Sequence, residues 1–199
     1  EDAETRLDLR IADPTTFAEL KAIRAAKPSD PLLARQIEML YLDFLPRQID
    51  PELIKKMNAR ENAVERAFNT YRPRFEGRAL TDNEVRRVLR HSTNVAERRT
   101  VWEASKGVGR VVEADLHALV LLRNEAARKL GFKNYHVMQL ALGEQSQEKV
   151  LALFDELDRL TGDQFREAKA HIDAELAKTY GIDSTALRPW HYQDPFFQE

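Results

Sequence analysis

Five histidines, one arginine inside an apolar stripe and a dense run of further arginines are the residues of this chain best suited to chemistry. The histidines are His91, His117, His136, His171 and His191. Imidazole is the usual metal ligand and general base near neutral pH. None of the five belongs to H-E-x-x-H, the helical spacing that sets two imidazoles and a base on one face. His171 and Glu175 stand four apart and share a helix face. They are one ligand short of a metal site, and an exposed pair on a solvated helix is the plainer reading. His136 lies beside Tyr135 near a helix cap and reads as a packed structural residue. There is no Gly-rich phosphate loop, no G-x-S-x-G and no C-x-x-C. The glycines of Lys106-Gly107-Val108-Gly109 do not follow a strand, so they are a weak basis for a nucleotide loop. With zero cysteines, disulfides and thiol ligands are excluded and the compartment stays open.

Arg123 is more informative. At 100° per residue it falls within the stripe of Leu116, Leu119, Ala127 and Leu130, with no acid three or four residues away. If it is buried, its charge needs a carboxylate or carbonyls from another helix. A substrate-carboxylate or anion clamp is one reading. A structural bridge between helices, or a side chain snorkelling to water, is the favoured one. The arginines between Arg72 and Arg110, among them Arg86, Arg87, Arg90, Arg98 and Arg99, are interleaved with Glu76, Asp82, Glu84, Glu97 and Glu103. That alternation predicts a solvated mixed face rather than a nucleic-acid patch, which needs clustering of one sign.

The elements that hold these residues are helices. The chain has 199 residues, 43% hydrophobic and 32% charged, with a net charge of −2. This is enough apolar material for one domain or one large piece of a larger one. It gives no reason to expect nucleic acid or an acidic membrane as main partner. No apolar run approaches 18 residues, so no membrane span is expected. Only 7 glycines and few β-branched runs argue for an all-α chain. The opening EDAETRLDLR has neither an initiator Met nor an apolar signal core, and reads as a cut inside a longer protein or as a mature terminus.

Asp13-Pro14, Asp30-Pro31 and Asp50-Pro51 each read as a cap followed by Pro at the first helical position. They predict helices to about Ala26, to just before Pro46, and to about Tyr71. Their spacings are unequal and their interiors do not match, so they are not a repeat. Residues 72–80 read as a loop. Thr81 with Glu84 is a capping box. A short helix follows from about Val95 to Ser105 with Trp102 inward, broken by Gly107 and Gly109. A central helix from about Val111 to Leu130 has apolar residues on several faces, as for a helix with neighbours around it. Gly131 is its expected left-handed cap. A short helix over residues 134–141 leads to a long one from Ser146 to Tyr180. Its stripe contains Val150, Phe154, Leu157, Phe165, Ala168, Ile172 and Leu176, a kink is expected at Gly162, and Gly181 ends it. The closing LRPWHYQDPFFQE holds two prolines and four aromatics, and predicts an extended arm packed on something. The fold class is therefore all-α: seven to eight helices, a central buried helix, one long C-terminal helix and an extended aromatic tail.

The run EVRRVLRHSTNVAERRTVWEASKGVG (84–109), followed by LVLLRNEAARKLGFKNYH (119–136), resembles the amino-terminal helical half of angiotensin-converting-enzyme-like zinc dipeptidyl carboxypeptidases. The landmarks are Trp102-Glu103, the Asn-Glu-Ala-Ala-Arg run from Asn124 to Arg128, and the turn Gly131-Phe132-Lys133-Asn134-Tyr135. Leu187-Arg188-Pro189-Trp190 is similar to the segment before the catalytic half in the related thimet and oligopeptidase F group. The resemblance spans residues 81–199. It implies a non-catalytic lid and groove wall of a peptidase that cleaves short peptides, and a secreted or periplasmic setting. It also implies a zinc site, built on H-E-x-x-H and a downstream glutamate, in a catalytic half this chain does not contain. No zinc ligand, base or chloride ligand carries over to any position here. The expected partners are the missing catalytic half and, for the parent protein, a short peptide. Trp190, His191, Tyr192, Phe196 and Phe197 are the expected interface to that half, and bare tail aromatics predict self-association. Two other readings stand: a helical protein-interaction module without chemistry, and a helical sensor using Arg123 as an anion clamp.

Overall fold

The computed structural model describes residues 11–194, which form an all-α chain with one two-stranded hairpin. Among them no helix is long and apolar enough to cross a membrane. The chain divides into two compact units, Glu1–Arg60 with Ala118–Val150, and Glu61–His117 with Leu151–Glu199. Its helices are α1 (Pro14–Ala25), α2 (Pro31–Phe44), α3 (Pro51–Thr70), α4 (Asp82–His91), α5 (Val95–Lys106), α6 (Val108–Lys129), α7 (Tyr135–Leu142) and α8 (Gln147–Tyr180).

In the first unit the three Asp-Pro starts behave as their chemistry dictates. The Asp13 carboxylate accepts from the Thr16 N–H at 2.8 Å, Asp30 from Leu32 at 2.8 Å and Asp50 from Glu52 at 2.8 Å. Helices α1 and α2 pack together, with Phe17 stacked on Tyr41 at 5.5 Å and Arg24 lying over the Tyr41 ring while it binds Glu38. A 3-10 turn at Leu45–Gln48 takes up Pro46. The core joins Ile49, Leu53 and Ala126, with Met57, Leu122 and Leu130 packed against them.

In the second unit the capping box forms: Glu84 accepts from the Thr81 N–H at 2.8 Å, and the Thr81 hydroxyl accepts from the Glu84 N–H at 3.3 Å. The core is Leu80, Val85, Leu89 and Val101, with Phe75, Val88 and Trp102 against it. Residues 72–80 are more than a loop. Strands β1 (Arg74–Phe75) and β2 (Arg78–Ala79) pair antiparallel, with Glu76 and Gly77 both at positive φ in the turn.

Several sequence expectations need correction. Gly109 does not break a helix: α6 begins at Val108 and includes it. Gly107 alone separates α5 from α6, and a side chain there would collide with the Tyr71 hydroxyl, which donates to the Ala104 carbonyl at 2.7 Å. Nor is α6 enclosed on every side. Leu119, Ala126 and Ala127 are buried, whereas Val111, Leu116, Val120 and Leu121 are exposed. The long helix α8, by contrast, is as expected: it is continuous through Gly162, and its 34 residues span about 50 Å at 1.5 Å each. The tail is not wholly extended, because Pro189–His191 forms a 3-10 turn.

Candidate functional site

The residues singled out by the sequence assemble into two separate structures, one in each unit. In the first, α6 ends and α7 begins around a tight corner. Gly131 takes φ +89°, and the Phe132 N–H reaches back to the Ala127 carbonyl at 3.0 Å, a closing geometry that relieves two orphan carbonyls together with Gly131 N–H on Arg128. Asn134 caps α7 by accepting from Val137 at 2.9 Å, and Asn124, a turn back on α6, accepts from the Tyr135 N–H at 3.0 Å. Arg123 is half-buried, with its guanidinium 5.2 Å from the centre of the Tyr135 ring. The arginine thus braces the corner with its planar face. His136, expected to be packed, is exposed.

In the second unit the decisive residue is Arg98, which the sequence pattern assigned to a solvated face. It is 1% exposed. Its guanidinium donates to the carbonyls of Trp190 (2.7 Å), Tyr192 (2.9 Å), Leu89 (2.5 Å) and Ser92 (3.0 Å), and it faces the Tyr180 ring at 5.3 Å. Burial pushes its pKa down, yet an arginine stays charged at any physiological pH. Four carbonyl dipoles hold that charge where an acid is more usual. The result is a clamp that fixes the segment 187–194 to α4 and α5.

The tail completes the clamp. Trp190 meets Trp102 edge to face at 5.9 Å. His191 is buried, its Nδ1 accepts from the Arg188 N–H at 2.8 Å, and burial lowers its pKa below the ordinary histidine value. The Tyr192 hydroxyl donates to Asp173 at 2.7 Å and accepts from the Lys169 ammonium at 2.7 Å. The ammonium also binds both Asp173 oxygens at 2.6 Å, which raises the lysine pKa and lowers that of the carboxylate. Trp190, His191 and Tyr192 are therefore folded into their own unit, not left bare as the sequence suggested. Phe196 and Phe197 lie outside the described residues.

A cleft of about 220 Å³ lies in the second unit, floored by Phe68, Val85 and Val108 and edged by Asp82, Arg86 and Lys106. The hydroxyls in its wall are already engaged, Tyr71 with the Ala104 carbonyl and Ser105 with the Trp102 carbonyl at 2.7 Å. Two cations, Arg86 and Lys106, and one acid, Asp82, share its lining, in which no nucleophile is paired with a base. His91, His117, His136 and His171 are exposed and scattered. Among the described residues no three His, Asp or Glu side chains gather as a metal-binding group. Sequence reasoning missed Arg98, although a signal was present: it lies three residues from Val95 and Val101 and four from Trp102, inside the inward face of α5. Compared with known protein families and with curated proteins, the chain has no match.

Proposed function

We propose that this chain is the non-catalytic amino-terminal helical portion of a zinc metallopeptidase acting on short peptides, of the dipeptidyl carboxypeptidase kind. In this reading the helices supply the lid and wall of a substrate groove, and the zinc chemistry belongs to a partner half. One observation carries it. The landmarks of the resemblance, scattered over 89 positions from Trp102 to Trp190, act as joints of the fold. Trp102 of the Trp-Glu pair packs on Trp190 of the Leu-Arg-Pro-Trp segment. Asn124 of the Asn-Glu-Ala-Ala-Arg run ties down Tyr135 of the glycine–aromatic turn. Residues that set the packing of a scaffold are those by which a scaffold is recognised.

The test is the sequence and activity of the longer protein. The expected result is an H-E-x-x-H helix with a downstream glutamate within a few hundred residues after Glu199, and chelator-sensitive release of carboxy-terminal dipeptides from short peptides. Residues 1–199 alone should hydrolyse none. A continuation without that motif removes the active-peptidase reading. A second reading, a helical interaction module without chemistry, is favoured by the exposed apolar residues of α8, among them Phe154 and Phe165.

A further inference from the structure

An apolar surface is also exposed away from the tail, on α8. Every residue from Leu151 to Thr161 is exposed, including Leu153, Phe154, Leu157 and Leu160. Phe165 is 68% exposed and Ile172 49%. A helix bare on all sides is marginal in water, and one with this apolar content is a partner surface.

The spacing of the stripe identifies an occupant. Val150, Phe154, Leu157, Thr161, Phe165, Ala168, Ile172 and Leu176 follow one another at intervals of four, three and four. Turned end for end about position 163, the stripe maps onto itself to within one residue. Val150 falls opposite Leu176, Phe154 opposite Ile172, Leu157 opposite Ala168, and Phe165 opposite Thr161 beside Gly162. Large side chains thus meet small ones across the middle. An isologous two-fold contact requires this self-complementarity.

Charge selects the same direction. The amino-terminal half of α8 carries Glu148, Asp155, Glu156, Asp158 and Asp163 against the cations Lys149 and Arg159. The other half balances Arg166, Lys169 and Lys178 with Glu167, Asp173 and Glu175. A parallel pair would set acid beside acid, whereas an antiparallel pair sets the acidic half beside the balanced one.

We infer that α8 is a homotypic docking surface: two copies of this chain pair through it, antiparallel and centred near position 163. Light scattering coupled to size separation should give twice the 23.0 kDa chain mass at high concentration, falling toward the monomer on dilution. Phe165→Glu, at a surface position, should remain monomeric at every concentration with an unchanged far-ultraviolet circular dichroism spectrum. The chain has no cysteine, so Lys178→Cys places a single spin label. The antiparallel pair predicts an interlabel distance of about 45 Å, thirty residues of axial offset at 1.5 Å each. A strictly monomeric chain overturns the inference. So does a Phe165→Glu protein that still dimerises, or a distance below about 20 Å, which marks helices in parallel at ordinary interaxial spacing. None of these outcomes depends on whether a zinc motif follows Glu199.

Discussion

The tail from Leu187 to Asp194 and the amino-terminal half of α8 are both rich in aromatic and aliphatic side chains, yet they meet opposite fates. The tail should be the looser of the two, since it is short, interrupted by proline and lacks a helical ladder. Instead Leu187, His191 and Asp194 are buried, and its carbonyls are spoken for by Arg98. The α8 segment has every backbone bond a helix can make, and every residue from 151 to 161 is exposed. Regular secondary structure satisfies the backbone, but only tertiary partners satisfy side chains. A buried guanidinium facing carbonyls gives an irregular segment what a second helix would otherwise supply. The contrast locates where this chain is self-sufficient and where it needs another surface.

Four changes break or sharpen that contrast. The largest effect is expected from Arg98→Met, which leaves buried carbonyls unpaired around an apolar side chain. Urea unfolding should show a loss of about 3 kcal/mol. A loss under about 1 kcal/mol would mean that the tail is held by its aromatics alone. Tyr192→Phe keeps the ring and removes the hydroxyl from between Lys169 and Asp173; a cost of about 1 kcal/mol is expected in the same measurement.

Histidine 191 gives a pH dependence of defined sign. Its folded pKa is depressed by burial below the ordinary value of about 6.5. Between those two values the unfolded chain binds more protons than the folded one. Stability from this group is therefore full above about 6.5 and declines as pH falls toward the folded value. His191→Gln should abolish that slope in a series of unfolding curves, whatever it costs at neutral pH. The smallest effect belongs to Phe154→Glu on the bare face of α8. In dilute solution its stability should stay within about 0.5 kcal/mol of the parent, because that side chain is 62% exposed. A large loss would show that α8 is covered after all.

How much of this was readable beforehand follows from range. The caps at Asp13, Asp30 and Thr81 and the stops at Gly131 and Gly181 are local events between neighbours, and they place the helices of the all-α chain. The hairpin at 74–79 escaped notice because strands of two residues leave no periodicity to detect. Arg98 was obscured by its charged neighbours: its partners Trp190 and Tyr192 lie more than ninety residues away, and an interleaved charge pattern looks the same whether one arginine turns inward or none does. The Arg123 argument did identify a residue within an apolar stripe. The Tyr135 ring is one of its contacts in the structure, and it was not anticipated. The stripe on α8 was plain in the sequence, but periodicity says only that a face is apolar. Whether the covering surface lies within the same chain is not encoded in the spacing of that one helix.

Amide hydrogen exchange read segment by segment at two protein concentrations tests the contrast most directly. The account predicts that α5 and the chain around Trp190–Tyr192 exchange slowly at both concentrations. Residues 151–161 should exchange rapidly in dilute protein and gain protection as concentration rises. Equal, strong protection of 151–161 at both concentrations would contradict it, because that helix would then be stabilised from within the chain.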